Sequence, residues 1–239
     1  MRFYTNVQMV GDNFLVRGYE DGKHFMTREK FYPTLFVPSK KKTKYKTLTG
    51  DYVESVAPGT VRECREFVKK YNDVENFDIY GNERYIYQYI SDLYPEEQLI
   101  FDIDKIKLTT IDIEVKSENG FPDVESCAEE ILLISMQDYK TKQIRTWGLG
   151  EFNNKQENVI YKSFRTEYEL LHDFIHWWMI EGNTPEVITG WNSKLYDIPY
   201  VCRRLDRVLG GKLMKRMSPW GLVTECETFI AGRKHISYD

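Results

Sequence analysis

Asp112 and Glu114 stand two residues apart in the stretch Leu-Thr-Thr-Ile-Asp-Ile-Glu-Val, 108–115, where the other members are apolar or β-branched. Side chains on a strand alternate between faces, so these two carboxylates share one. On a central strand they would repel each other and hold their protons more tightly. A divalent cation relieves that conflict, and hard oxygen ligands of this kind suit Mg²⁺ or Mn²⁺. The competing reading is an edge strand with one solvent face, but Thr110, Ile111, Ile113 and Val115 favour a central strand.

A second stretch, Thr-Gly-Trp-Asn-Ser-Lys-Leu-Tyr-Asp-Ile-Pro-Tyr at 189–200, carries the other candidate acid. An apolar run leads into Trp191-Asn192, and five residues later comes Asp197. Asp ahead of Ile198-Pro199 is a good helix N-cap, since its carboxylate can accept backbone N–H bonds and Pro suits a first turn. That capping role is the alternative to a role in chemistry.

The elements that would position these acids alternate between strand and helix. Strands are expected at 108–115, 131–140, 143–149, 159–164 and 186–192, with a tight turn at Tyr139–Lys142. A helix is expected over 166–182, with Thr166 and Glu169 as a capping box and an apolar stripe of Leu170, Leu171, Phe174, Trp177 and Trp178. Another is expected over 198–211, closing at Gly210-Gly211. Such an order describes an α/β arrangement on one sheet. Ahead of it, 1–47 reads as short strands, with turns at Gly11-Asp12 and Asp21-Gly22-Lys23. Pro33 and Pro38 limit the stretch between them to a short or edge strand. A helix over 59–71 has Thr60 and Glu63 as its capping box, and a domain boundary is placed at 100–107.

Composition is that of a globular protein: 239 residues, 41% hydrophobic and 29% charged. A net charge of −4 gives no global pull toward nucleic acid, so any such binding must come from local patches. The clearest are Ser-Lys-Lys-Lys-Thr-Lys-Tyr-Lys at 39–46 and Gly-Gly-Lys-Leu-Met-Lys-Arg at 210–216, either of which could equally be a solvated loop. The four cysteines form no CxxC pair, which disfavours a zinc site or a disulfide framework and fits a reducing cytosol. No apolar run is long enough to span a membrane, and the first residues lack the apolar core of a secretory signal.

Taken together, Asp-Ile-Glu followed by Asn-x-x-x-Tyr-Asp resembles the first two exonuclease motifs of the family B DNA polymerases, and the extended stretches are most similar to those of T-even-like phages. Tyr-Lys-Thr-Leu-Thr-Gly-Asp-Tyr-Val-Glu-Ser-Val at 45–56 and Phe-Asp-Ile-Tyr-Gly at 77–81 are similar to that family's N-terminal domain. The resemblance implies an α/β chain, α+β overall. A mixed, β-rich N-terminal domain at 1–105 would precede a ribonuclease H-like 3′–5′ exonuclease domain at 106–239. It further implies two-metal hydrolysis of DNA 3′ ends with Mg²⁺ or Mn²⁺. Asp112, Glu114 and Asp197 would be the metal ligands and catalytic acids, and Phe121, Asn192 and Tyr196 would lie on the substrate. The implied partner is a single-stranded DNA 3′ end, and the implied setting is the cytoplasm of a phage-infected bacterial cell.

The family's third exonuclease motif, Tyr-x-x-x-Asp on a later helix, has no counterpart in 194–239, and no polymerase palm is present. The exonuclease domain is therefore expected to be cut short at its C-terminus, where Arg-Lys-His-Ile-Ser-Tyr-Asp reads as an interrupted strand. Lacking one carboxylate, the chain alone is expected to be a weak nuclease or none, completed by the remainder of a split polymerase. The rival expectation is a nucleic-acid or partner-binding module without catalysis. Another ribonuclease H-like nuclease fits the acidic motifs but not the N-terminal portion.

Overall fold

The computed structural model describes residues 2–81, 84–95, 99–118 and 120–238. The stretches Pro-Glu-Glu-Gln-Leu-Ile-Phe and Lys-Ser-Glu-Asn-Gly-Phe-Pro include residues 96–98 and 119, which lie outside that set. The chain divides into two compact units, Met1–Lys105 and Ile106–Asp239.

In the first unit, β1 (Arg2–Val10), β2 (Asn13–Glu20) and β3 (Lys23–Lys30) form an antiparallel meander. The β2–β3 turn has positive φ at both Asp21 and Gly22, the conformation a two-residue hairpin needs to follow the strand twist. β4 (Leu35–Pro38), β5 (Tyr45–Lys46) and β6 (Tyr52–Val56) make a second three-stranded sheet in the order β4-β6-β5, which leaves the proline-bounded β4 on an edge. α1 (Val61–Tyr71) starts with the full capping box: Thr60 Oγ1 accepts from the Glu63 N–H, and the Glu63 carboxylate accepts from the Thr60 N–H. α2 (Tyr85–Leu93) was not expected from the sequence. Phe14, Val16, Leu35, Val61, Cys64 and Tyr89 are at the centre of this unit's core.

The second unit is built on a mixed five-stranded sheet in the order β10-β9-β8-β7-β11. These strands are β7 (Leu108–Val115), β8 (Ile131–Asp138), β9 (Ile144–Leu149), β10 (Val159–Phe164) and β11 (Val187–Thr189). β7, β8 and β9 run antiparallel in turn, while β10 joins β9 and β11 joins β7 in parallel. This is the α/β arrangement of the ribonuclease H-like type that was expected. One face carries Ile111, Ile113, Ile134, Met136 and Trp147 into the core. There they meet Leu170, Leu171 and Phe174 of α3 (Glu167–Trp178) and Val201 and Leu205 of α4 (Asp197–Leu209). A buried ion pair fastens the two helices: Arg204 Nε donates to Glu167 Oε1 at 2.8 Å, and the same oxygen accepts from the Ile131 N–H at 2.9 Å.

Several expectations need correction. α3 ends at Trp178 rather than 182, and only half of its capping box forms. Thr166 accepts from Glu169 N–H, but the Glu169 carboxylate takes the N–H of Arg165. β11 is three residues long, because the chain leaves the sheet at Gly190. The segment 233–238 is a strand, as expected, but its hairpin partner was not foreseen. β13 (Arg233–Tyr238) pairs fully with β12 (Glu225–Ile230) as an antiparallel hairpin. A short α5 (Gly211–Met214) and a 3₁₀ turn at Lys215–Met217 hold the basic residues of 210–216 in solvent. Among the described residues no helix is long and apolar enough to cross a membrane.

Candidate active site

β7 is flanked on both sides only over its first part. β11 pairs with Leu108, Thr109 and Thr110, then ends, whereas β8 continues alongside Asp112 and Glu114. The two carboxylates therefore sit on a strand that is central at its start and open on one side at its end, which is not the uniformly central strand expected. Both are exposed, and they share the face opposite the buried Ile111 and Ile113. Among the described residues neither makes a hydrogen bond or an ion pair. Across the sheet Asp112 lies opposite Ser135, which is paired in turn with Thr146, and the two hydroxyls are 2.9 Å apart.

Asp197 reaches the open side of β7. It is the first residue of α4 and only 3% exposed, and Tyr196 takes the cap position without a side-chain cap. The alternative role, as the helix cap, is thus not what the carboxylate takes. Asp197 Oδ1 accepts the backbone N–H of Ile113 at 3.1 Å. Where β11 has stopped supplying partners, this carboxylate satisfies the donor between Asp112 and Glu114. A buried donor left unmet there would be costly, so the bond fixes the start of α4 to the strand.

The loop from β11 to α4 is shaped to permit this approach. A Cβ at Gly190 would lie 2.6 Å from the Ile111 carbonyl oxygen, so only glycine allows the chain to pass so near β7. Asn192 adopts positive φ, and its carbonyl accepts the N–H groups of both Leu195 and Tyr196 at 3.0 Å. Its backbone therefore braces the turn, while its side chain is exposed. Phe121, 83% exposed, lies against Tyr196 with ring centroids 4.9 Å apart. Sequence reasoning missed Trp191, which is 95% exposed beside this loop. Its signal is an indole placed between Gly190 and Asn192, just where the strand leaves the sheet and no core is available to receive it.

Electrostatics tie the group together. Burial raises the Asp197 carboxyl above its ordinary value, and the charge of Asp112 adds to that, against hydrogen bonds from its own and Ile113's N–H groups. Burial also pushes the Tyr196 phenol up to about 12, with Asp197, Cys127 and Glu114 acting in the same direction. Three carboxylates with hard oxygens are suited to a divalent cation. As they stand, no three His, Cys, Asp or Glu groups among the described residues are close enough to hold one. Asp112 and Glu114 are exposed, and their carboxylates, with that of Asp197, are the hard oxygen donors such a cation takes.

Residues 66–229 match the model of the DNA polymerase family B exonuclease domain. The DNA-directed DNA polymerase of Escherichia phage RB69 is 27% identical over 91% of this chain, and that of Enterobacteria phage T4 is 28% identical over 92%. The chain spans 27% of the length of each of these two relatives. The DNA polymerase catalytic subunit of human herpesvirus 6A is 35% identical over 41% of this chain and 10% of its own length. The match takes in both acidic motifs and most of the sheet that carries them, and the chain belongs to DNA polymerase family B, of which it holds the exonuclease domain.

Proposed function

We propose that Asp112, Glu114 and Asp197 bind Mg²⁺ or Mn²⁺ and that this site hydrolyses the terminal phosphodiester at the 3′ end of single-stranded DNA. The observation that supports this best is the anchoring of Asp197 on the Ile113 N–H, between the other two acids. A pair of bound divalent cations supplies an activated water and charge neutralisation at the leaving 3′ oxygen. The chain's own residues do the rest. β7 sets the spacing of Asp112 and Glu114, and Ile113 holds Asp197 in place. Phe121 and Trp191 present exposed aromatic faces on which terminal bases stack. Tyr196 supplies a hydroxyl donor to the phosphate, and Asn192 shapes the loop that presents it. In this reading 1–105 is the N-terminal domain and 106–239 the exonuclease domain. The chain acts as the proofreading portion of a phage-type polymerase in the cytoplasm of an infected bacterial cell, together with the remainder of that polymerase. The test is digestion of a 5′-labelled single-stranded oligonucleotide beside Asp112→Ala. Stepwise 3′ shortening that requires Mn²⁺ or Mg²⁺ and disappears in the variant supports the proposal; shortening that persists in the variant refutes it.

A second reading, a DNA-binding module without catalysis, is favoured by two observations. Among the described residues no three acids are at metal-holding distance, and the run Lys40–Lys46 is solvent-facing, with Lys44 over Tyr45 and Lys46 over Tyr52. Metal-independent, salt-sensitive binding that survives Asp112→Ala, with no shortening in either protein, is the result that selects it.

A further inference from the structure

α3 carries a stack of rings on its outer face. Tyr168, His172 and His176 recur every four residues, so each sits about one turn above the last, and all three are exposed. The imidazoles of His172 and His176 lie with ring centroids 4.0 Å apart and planes inclined by 31°. The Tyr168 ring stacks on His172 at 5.9 Å and 20°, which steadies the pair from one side. Leu170, Leu171, Phe174, Ile175 and Trp178 are the core-facing residues of the same helix, so the ring stack takes no part in the core.

One hydrogen bond decides how this pair can be used. His176 Nδ1 lies 2.7 Å from the His172 carbonyl oxygen. A carbonyl only accepts, so Nδ1 carries the proton of the neutral ring and the lone pair is on Nε2. Metal-bound histidines are held in this way, one ring nitrogen donating to a carbonyl while the other ligates. The His172 side chain makes no hydrogen bond or ion pair among the described residues, so its ring nitrogens are available. The acids on the same stripe of helix are already engaged. Glu169 accepts the Arg165 N–H at 3.1 Å, and Asp173 takes the Trp147 indole N–H at 2.9 Å and the Lys162 ammonium. The face therefore offers two nitrogen donors and no spare carboxylate.

We propose that His172 and His176 chelate one divalent transition-metal ion through their Nε2 atoms, with water filling the rest of its shell. Two histidines at i and i+4 on one helix face is the spacing that zinc-binding helices use. Imidazole donors suit Cu²⁺, Ni²⁺ and Zn²⁺, whereas Mg²⁺ takes hard oxygens, so this site selects a different class of ion from Asp112 and Glu114. The two sites are also apart in the fold. α3 packs on the face of the sheet that carries Ile111 and Ile113, and the acids are on the other. A bound ion joins two successive turns of α3 and so favours the folded state.

Calorimetric titration of the untagged full chain with Ni²⁺ tests this, in a Cys226→Ser background because that thiol is the half-exposed one. The expected result is one saturable site that weakens at least about tenfold in His172→Ala and in His176→Ala, since losing a ligand costs no less than losing a ligand's support. Both side chains are exposed, so the metal-free variants should melt as the native protein does, while Ni²⁺ raises the melting temperature of the native protein alone. The chain has four histidines, and His24→Ala and His235→Ala should bind Ni²⁺ normally, as should Asp112→Ala. Excess Zn²⁺ should displace Ni²⁺ and excess Mg²⁺ should not. Absence of a Ni²⁺ site, native-like binding in either the His172 or the His176 variant, loss of binding in Asp112→Ala, or displacement by Mg²⁺ overturns the proposal.

Discussion

The carboxylate of Asp197 accepts the backbone N–H of Ile113 at 3.1 Å, across 84 positions of sequence. A helix start and a strand end are thereby joined at the one place where β7 has lost its β11 neighbour. The same bond puts a third acid beside the two that β7 carries. Structure and chemistry meet in this contact.

Gly190→Ala should displace the loop that delivers Asp197. A Cβ there would meet the Ile111 carbonyl at 2.6 Å and the Ser193 Cβ at 3.0 Å, and the first of these is backbone that cannot step aside. The expected cost is about 1–3 kcal/mol in urea denaturation, with metal-dependent activity lost along with it. Unchanged stability would mean that the close approach is not maintained in solution.

Phe121→Ala should separate binding from folding. The ring is 83% exposed and touches Tyr196 on one side, so its loss should change stability by under about 1 kcal/mol. A base that stacks on it contributes about 1–3 kcal/mol, so affinity for a single-stranded 3′ end should fall roughly tenfold or more. Fluorescence anisotropy on a labelled oligonucleotide gives the comparison.

Acid should loosen the β12–β13 hairpin. The Glu225 carboxyl lies below its ordinary value because Tyr238 donates to it at 2.6 Å and Arg203 at 2.8 Å, against the cost of burial. A depressed carboxyl contributes stability above its unfolded value and loses it as pH falls through the lower folded value. Thermal melts should therefore converge for native protein and Glu225→Gln below about pH 4, and separate in favour of the native protein toward pH 7. Tyr238 is shifted the other way, upward, by burial and then by Glu225, so its contribution persists through neutral pH.

Thiol reactivity should report the two cores. Burial pushes Cys127 up to about 11 and Cys202 up to about 12, and it raises Cys64 as well, while Cys226 on β12 is half-exposed. An aromatic disulfide reagent should therefore label one thiol quickly in the native protein and all four after denaturation. Fast labelling of a second thiol would show that one of the cores opens readily.

Period-two alternation made β7 readable, because Ile111 and Ile113 need the core while Asp112 and Glu114 do not. The capping pairs at Thr60 and Thr166 marked both helix starts for a local reason: the side chain and the N–H it accepts are three residues apart. α2 escaped notice since Tyr-Ile-Tyr-Gln-Tyr-Ile alternates aromatic and aliphatic residues as a strand does, and only packing of Tyr85 and Tyr89 against β2 and α1 decides for helix. The β12–β13 turn was equally hidden, because Ala231 takes the positive φ that a sequence reader assigns to glycine or asparagine. Asp197 looked like a cap for the same kind of reason. Its alternative partner, Ile113, is remote in sequence, and no local rule weighs a contact of that range.

The most direct test of the site is Mn²⁺ binding, followed by electron paramagnetic resonance on the native chain, Asp112→Asn and Asp197→Asn. Asparagine keeps the size of each side chain and an acceptor oxygen for the Ile113 N–H, so the fold should be retained while the charge is lost. The account predicts saturable Mn²⁺ binding in the native chain that weakens at least tenfold in each variant. Native-like binding in both variants would contradict it, because the metal would then sit somewhere other than between β7 and the start of α4.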